Sequence, residues 1–258
     1  MSTKKVSWDP AIYLAFGDHR ARPFHDLLAR IRTVAPRRVV DLGCGPGHLT
    51  GVLAARWPNA EIDALDSSPD MVAEAQARGI PARQADVRDW RPGPRDDVVV
   101  SNAVLQWVPE HRELLAGWVA AMPAGGWFGV QVPGNFTAPS HVLVRELLAE
   151  PPWRARVSVR DELAVASPAQ YAESLAAVGA DVDVWETTYL HRLSGNHPVL
   201  TWISGTALRP VRDALNDTEW AEFREALAPR LRSAYPVSSD GSTWLPFRRI
   251  FTVARAGG

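Results

Sequence analysis

Lysine is almost missing from this chain. Its 258 residues carry 28 lysines and arginines together, and lysine stands only at Lys4 and Lys5, so the other 26 (28 − 2) are arginines. The codon bias of a GC-rich genome accounts for most of the skew and fits an alanine-rich, asparagine-poor chain. Its chemical consequence is that every cation beyond residue 5 is a planar fork that grips carboxylates or phosphates with two hydrogen bonds. Cysteine is as scarce. With Cys44 alone, an intrachain disulfide framework and a multi-cysteine zinc site are both excluded. Neither charge sign dominates, since 28 bases face 29 acids for a net charge of −1. Bulk attraction to nucleic acid or to a membrane surface is therefore not expected. The sequence has no uninterrupted apolar run of the roughly 18 residues a membrane span needs. The start, MSTKKVSWDP, lacks the apolar stretch of a secretory signal. A cytoplasmic protein is expected.

Hydrophobic residues make up 46% and charged residues 22%, ordinary values for a globular protein. The length suits one large domain or a domain with a cap. From about Arg37 to Val132, short apolar runs alternate with amphipathic stretches. Strands are expected at 37–42, 61–65, 81–85, 97–101 and 126–132, and helices at 47–56, 69–78 and 110–121. This alternation implies parallel crossovers and an open α/β sheet. His19–Val34 reads as a preceding helix, with Phe24, Leu27, Leu28 and Ile31 at helical spacing. Later come a helix within 135–152, a helix at 168–178, a strand at 181–189, a helical stretch at 197–234 broken at Pro210 and Pro229, and a strand at 244–254. The expected organisation is a lid and helix over 1–36, a nucleotide-binding core over 37–134, and over 135–258 the completion of the sheet with a helical substrate cap.

The first strand runs into Asp41-Leu42-Gly43-Cys44-Gly45-Pro46-Gly47. Glycines at this spacing let the main chain turn sharply and approach a ligand closely, and the helix that follows points its amides at the same place. Asp66, ending the second strand, is placed to accept hydrogen bonds from a ribose diol. The dinucleotide fingerprint would need glycine at position 48, which is His48, and no Gly-Lys-Ser/Thr of a P-loop occurs. Cys44 reads as small and packed, and His48 and His191 as structural.

The D-x-G-x-G-x-G pattern resembles motif I of class I S-adenosylmethionine (SAM) methyltransferases. The resemblance implies a Rossmann-like sheet, mostly parallel with an antiparallel late strand. It implies a second motif at Asp66-Ser67-Ser68-Pro69-Asp70-Met71, with Asp66 and Ser67 at the ribose and Met71 on the adenine. Asp86 and Val87 would meet the adenine amine, and the Asn102-Ala103 main chain would cradle the methionine moiety. Further motifs resemble trans-aconitate 2-methyltransferases: Trp8-Asp9-Pro10, Tyr13, Phe16 and Arg20-x-Arg22-Pro23; Leu105-Gln106-Trp107-Val108-Pro109; Gln131-Val132-Pro133-Gly134-Asn135; Pro139-Ser140-His141; Val184 to Tyr189; Ala207-Leu208-Arg209-Pro210; Tyr235-Pro236; and Phe247-Arg248-Arg249-Ile250-Phe251. That family methylates one carboxylate of trans-aconitate.

The implied chemistry needs no catalytic residue, because a carboxylate of ordinary pKa, about 4, is already an anion at neutral pH. Tyr13 and Arg22 are expected near the cofactor, together with Asp41, Gly43 and Gly45. A tricarboxylate needs cations, and here these must be arginines: Arg20, Arg209 and one of Arg248 and Arg249, since neighbours on a strand face opposite ways. Gln106, Trp107, Asn135, Trp202 and Tyr235 are candidate neutral liners. No metal, nucleic acid or membrane partner is expected, and a monomer is. Two other readings stay open: methyl transfer to another small acid or metabolite, and a non-catalytic SAM-binding regulator.

Overall fold

The computed structural model describes residues 17–157 and 165–257, with side chains from residue 21 onward. It divides into two compact units. The first holds the described residues of Ser7–Pro133, Ala164–Thr187 and Arg249–Gly258; the second holds those of Gly134–Leu163 and Thr188–Arg248.

Seven strands form one sheet in the order β3-β2-β1-β4-β5-β7-β6. They are β1 (Arg38–Leu42), β2 (Glu61–Asp66), β3 (Ala82–Gln84), β4 (Asp96–Asn102), β5 (Trp127–Pro133), β6 (Asp181–Leu193) and β7 (Thr243–Arg255). The first five pair in parallel, and β7 runs antiparallel to β5. Val39, Val40, Leu42 and Val98 to Val100 are fully buried, as strands covered on both faces require.

The first unit also contains α1 (Gly17–Leu28), α2 (His48–Arg56), α3 (Pro69–Ala77), α4 (His111–Ala121) and α6 (Pro168–Ala176). Two of these starts have a local cause in the sequence. Pro69 and Pro168 sit in first turns, where no amide donor is needed. Ser167 and Gln170 form a reciprocal capping box. The core beneath is strongly aromatic: Trp118 stacks on Phe128 at 5.8 Å, and Trp90 meets Trp118 edge-on at 5.5 Å. At the joint of α4 and α6, His111 Nδ1 lies 2.7 Å from the Val108 carbonyl and Nε2 lies 2.7 Å from the Tyr171 hydroxyl. Nδ1 therefore donates, and Nε2 accepts the tyrosine proton.

The second unit holds α5 (Pro139–Ala149), α7 (Pro198–Ser204), α8 (Arg209–Ala214) and α9 (Asp217–Ala234). Here two sequence expectations need correction. Pro210 does not break a helix but lies in the first turn of α8, and Pro229 lies inside α9 without ending it. The interruptions fall instead near 205–208 and 215–216, where the Asn216–Glu219 capping box starts α9. The helix expected to reach Val34 stops at Leu28. There the Arg56 guanidinium takes up the Leu28 and Ile31 carbonyls at 2.7 and 2.6 Å, satisfying acceptors that a longer helix would have used.

Candidate active site

The glycine loop joins β1 to α2. Gly43 has φ of +82°, and a Cβ there would fall 2.3 Å from Val104 Cγ2, so the loop packs directly on the segment after β4. Gly45 also has positive φ, at +55°, but among the described residues no atom lies within 4 Å of where its Cβ would stand. Among the described residues, the loop is thus closed at Gly43 and open at Gly45. The pocket beside it is lined by Phe24, Asp41, Gly43, Cys44, Gly45, His48, Leu49 and Asn102.

Asp41 is buried and accepts a 2.6 Å hydrogen bond from the Thr50 hydroxyl. Burial pushes its pKa up to about 6 against the Thr50 bond, with the nearby Asp66 carboxylate adding to the rise. Asp66 braces the loop: Oδ2 accepts from the Gly45 amide at 2.9 Å and Oδ1 from the Ser68 amide at 2.8 Å. Burial raises its pKa too, and these backbone donors oppose the rise. Burial, and then the carboxylates of Asp41 and Asp66, push the Cys44 thiol far up. It is no thiolate nucleophile.

Ser67 is exposed, and Met71 is buried behind the Ser68 cap of α3. Asp86 caps the short helical turn Val87–Asp89, and both its oxygens engage Arg88, which holds its pKa below the usual range. The Val87 side chain belongs to the main core. Asn102 ends β4 with its Oδ1 buried and without a partner among the described residues. Ala103 follows in the left-handed region, φ +58°, at a cost of about 1–2 kcal/mol for a residue with a Cβ. Its amide donates to the Gln131 carbonyl at 2.8 Å, and its carbonyl accepts from Gln106 Nε2 at 2.7 Å.

Among the other expected residues, Arg22 is exposed on α1 and Trp107 is 41% exposed on the turn after β4. Arg249 is buried, and its Nη1 lies 3.5 Å from Gln131 Oε1, a weak contact. In the second unit, Arg209 opens α8 half-buried. Arg248 is half-buried, and its main chain is held by the Asn135 side chain. The Tyr235 hydroxyl accepts from the Ser140 amide at 3.0 Å, capping α5. Trp202 is not on a wall: it is 1% exposed and enclosed by His191 and Phe247 at 4.7 and 5.6 Å. Tyr13 and the Arg20 side chain lie outside the described residues.

The structure thus gathers Asp41, Gly43, Gly45 and Asn102 around one pocket, and places Asp66, Asp86 and their neighbours at the carboxyl ends of adjacent strands. Phe24, Leu49, Thr50, Val104 and Gln131 also serve this region, although the sequence reading assigned none of them to it. Thr50 carried a signal, as a polar residue on the apolar side of α2, and Gln131 stood in a family-like motif without a role assigned to it.

A parallel sheet with an antiparallel β7, carrying a glycine loop and strand-end acids at one edge, is the class I SAM-dependent methyltransferase fold. Residues 39–126 match the methyltransferase domain family. Phosphoethanolamine N-methyltransferase 2 of Haemonchus contortus, solved with SAM, aligns with a TM-score of 0.57 and 16% identity, over 92% of this chain and 53% of that one. The YcgJ protein of Bacillus subtilis aligns with a TM-score of 0.58 and 14% identity, over 91% and 99%. The trans-aconitate 2-methyltransferase of Rhodococcus jostii is 60% identical over 251 residues, 96% of this chain and 99% of that one. That of Mycobacterium tuberculosis is 57% identical over 254 residues, 97% of each. The chain belongs to the trans-aconitate 2-methyltransferase family.

Proposed function

We propose that the protein transfers the methyl group of SAM to one carboxylate of trans-aconitate, yielding the monomethyl ester and S-adenosylhomocysteine (SAH). The observation that carries this reading is the near full-length identity of 57–60% to trans-aconitate 2-methyltransferases.

The glycine-loop pocket fits the cofactor. Gly45 offers open main chain, and Asn102 Oδ1 is a buried acceptor in need of a donor. In this reading Asp41, Gly43, Gly45, Asn102 and Ala103 hold the methionine end. Asp66, Ser67 and Met71 hold the ribose and adenine, Asp86 and Val87 meet the adenine edge, and Tyr13 and Arg22 cover the site. When bound, SAM supplies an electrophilic methyl carbon on a sulfonium.

The protein's own task is alignment. A substrate carboxylate, ionised at neutral pH, needs no base, and holding it in line at contact distance supplies about 7–11 kcal/mol. Arg209, Arg20 and one of Arg248 and Arg249 grip the carboxylates, with Trp107 as a liner. Asn135, Trp202 and Tyr235 are read as neutral groups of the substrate region, and each also engages the protein around it. The near-neutral net charge of −1 favours a small anion over nucleic acid as partner. We read the protein as a cytoplasmic monomer that needs no metal ion. Light scattering tests the oligomeric state, and turnover in the presence of a chelator tests the metal.

The decisive experiment is SAH release from SAM with trans-aconitate, cis-aconitate, citrate and fumarate. Turnover highest with trans-aconitate is expected. No turnover with any tricarboxylate would sink the proposal.

A further inference from the structure

Ala103 is held in a left-handed conformation from both sides: the Gln131 carbonyl takes its amide at 2.8 Å, and Gln106 Nε2 donates to its carbonyl at 2.7 Å. Its two neighbours both reach the pocket region. Asn102 lines the pocket with its buried, unpartnered Oδ1, and Val104 fills the space a Cβ on Gly43 would occupy. Relaxing Ala103 to ordinary backbone angles would rotate both neighbours. An alanine does not stay in this region without such restraint. The carbonyl acceptor also fixes which way the Gln106 amide points. Its Oε1 is left buried and without a partner among the described residues, so the side chain is not a simple surface liner.

We propose that Gln106, expected from sequence to touch the substrate, is instead a positioning residue for the cofactor. Its amide latches Ala103 in the left-handed turn, and the turn sets Asn102 and Val104 against the glycine loop where the amino-acid end of the cofactor binds. The proposal rests on the SAM reading above. The latch bears on the methionine end only, because the ribose and adenine residues come from the ends of β2 and β3.

The test compares two ligands by calorimetry: SAH, and 5′-methylthioadenosine, which keeps the adenine, ribose and sulfur but lacks the amino-acid end. Gln106→Ala should weaken SAH binding about tenfold, the scale set by a left-handed alanine losing its restraint, and leave methylthioadenosine within about twofold. The KM for trans-aconitate at saturating SAM should stay put. Gln106→Glu keeps the size but cannot donate, and should behave like Gln106→Ala; it carries the same comparison if Gln106→Ala does not fold. Adding Ala103→Gly to Gln106→Ala should restore most of the SAH affinity, because glycine needs no latch. Equal loss of both ligands, no rescue by Ala103→Gly, or an unchanged SAH affinity with a raised trans-aconitate KM would each overturn the latch. Failure of the unmodified protein to bind SAH would overturn the cofactor reading itself.

Discussion

The Asn135 side chain grips the main chain of Arg248 from both ends. Oδ1 accepts from the Arg248 amide at 2.7 Å, and Nδ2 donates to the Arg248 carbonyl at 3.0 Å. The Gly134 amide adds a third bond to the same carbonyl at 2.9 Å. Asn135 is buried, so water cannot replace these partners. Asn135→Asp sets a carboxylate against that carbonyl and loses the donor. It should lower stability by about 1–3 kcal/mol, measured by thermal unfolding. If Arg248 grips the substrate, the variant should also raise the trans-aconitate KM more than the SAM KM.

The two loop glycines should fail in different ways. Gly43→Ala meets Val104 at 2.3 Å in a backbone conformation alanine resists, and should compromise folding, seen as a lower melting temperature. Gly45→Ala meets no atom of the described residues. It should fold with a loss of only about 1–2 kcal/mol yet bind SAH at least tenfold more weakly, because the added methyl enters the space offered to the ligand.

At the other end of the strands the arginines serve stability. Arg38 reaches Asp63 at 2.8 Å and Asp96 at 3.2 Å, and Arg83 reaches Asp63 at 3.2 Å. Asp96 is almost fully buried and also accepts from the Gly93 amide at 2.7 Å. Arg38 keeps Asp63 as a partner, so Asp96→Ala should destabilise by about 1–3 kcal/mol, the scale for a buried donor left without its acceptor. Once the protein is folded at low temperature, its SAH affinity should be unchanged.

Stability and affinity should respond to pH through two groups of opposite sign. Burial, with Arg145 adding to it, lowers the His141 pKa to about 4. The unfolded chain then binds the extra proton first, so stability falls as pH drops from about 6.5 toward 4, by up to about 3 kcal/mol. The raised pKa of Asp41, about 6, works the other way: the folded chain takes up that proton first, and this contribution is lost as pH rises through 6. Comparing unfolding of the unmodified protein with His141→Gln across pH 4–7 isolates the histidine, and the gap should widen as pH falls. An ionised Asp41 is the form suited to a cationic ligand end. SAH affinity should weaken below pH 6, and Asp41→Asn should flatten that dependence in calorimetric titrations.

Arg209→Lys keeps the charge but loses the two-pronged fork. It should raise the trans-aconitate KM about tenfold or more, the scale of a lost charge-assisted bond, and leave SAH affinity near normal. Equal losses in both would make Arg209 a structural residue of α8.

Much of this was legible in the chain because its signals are local. Consecutive valines, a first-turn proline and a glycine-x-glycine turn each act within a few residues. They suffice to set β1, the loop and α2 in order, and to bring Asp41 and Asp66 to one edge of a parallel sheet. Local patterns also mislead: Pro210 and Pro229 read as breaks, although a first-turn proline suits a helix start and tertiary packing carries α9 through the other.

By itself, the sequence determined the strand–helix alternation, the glycine loop after β1 and the scarcity of any cation but arginine. The tertiary structure alone decided how the side chains are employed. Asn135 meets Arg248 across 113 positions, Gln106 latches a strained Ala103, and Arg249 is turned inward while Arg248 is left half-buried. A side-chain amide binds whichever main-chain group the fold brings within 3 Å, and no periodicity along the chain encodes that distance.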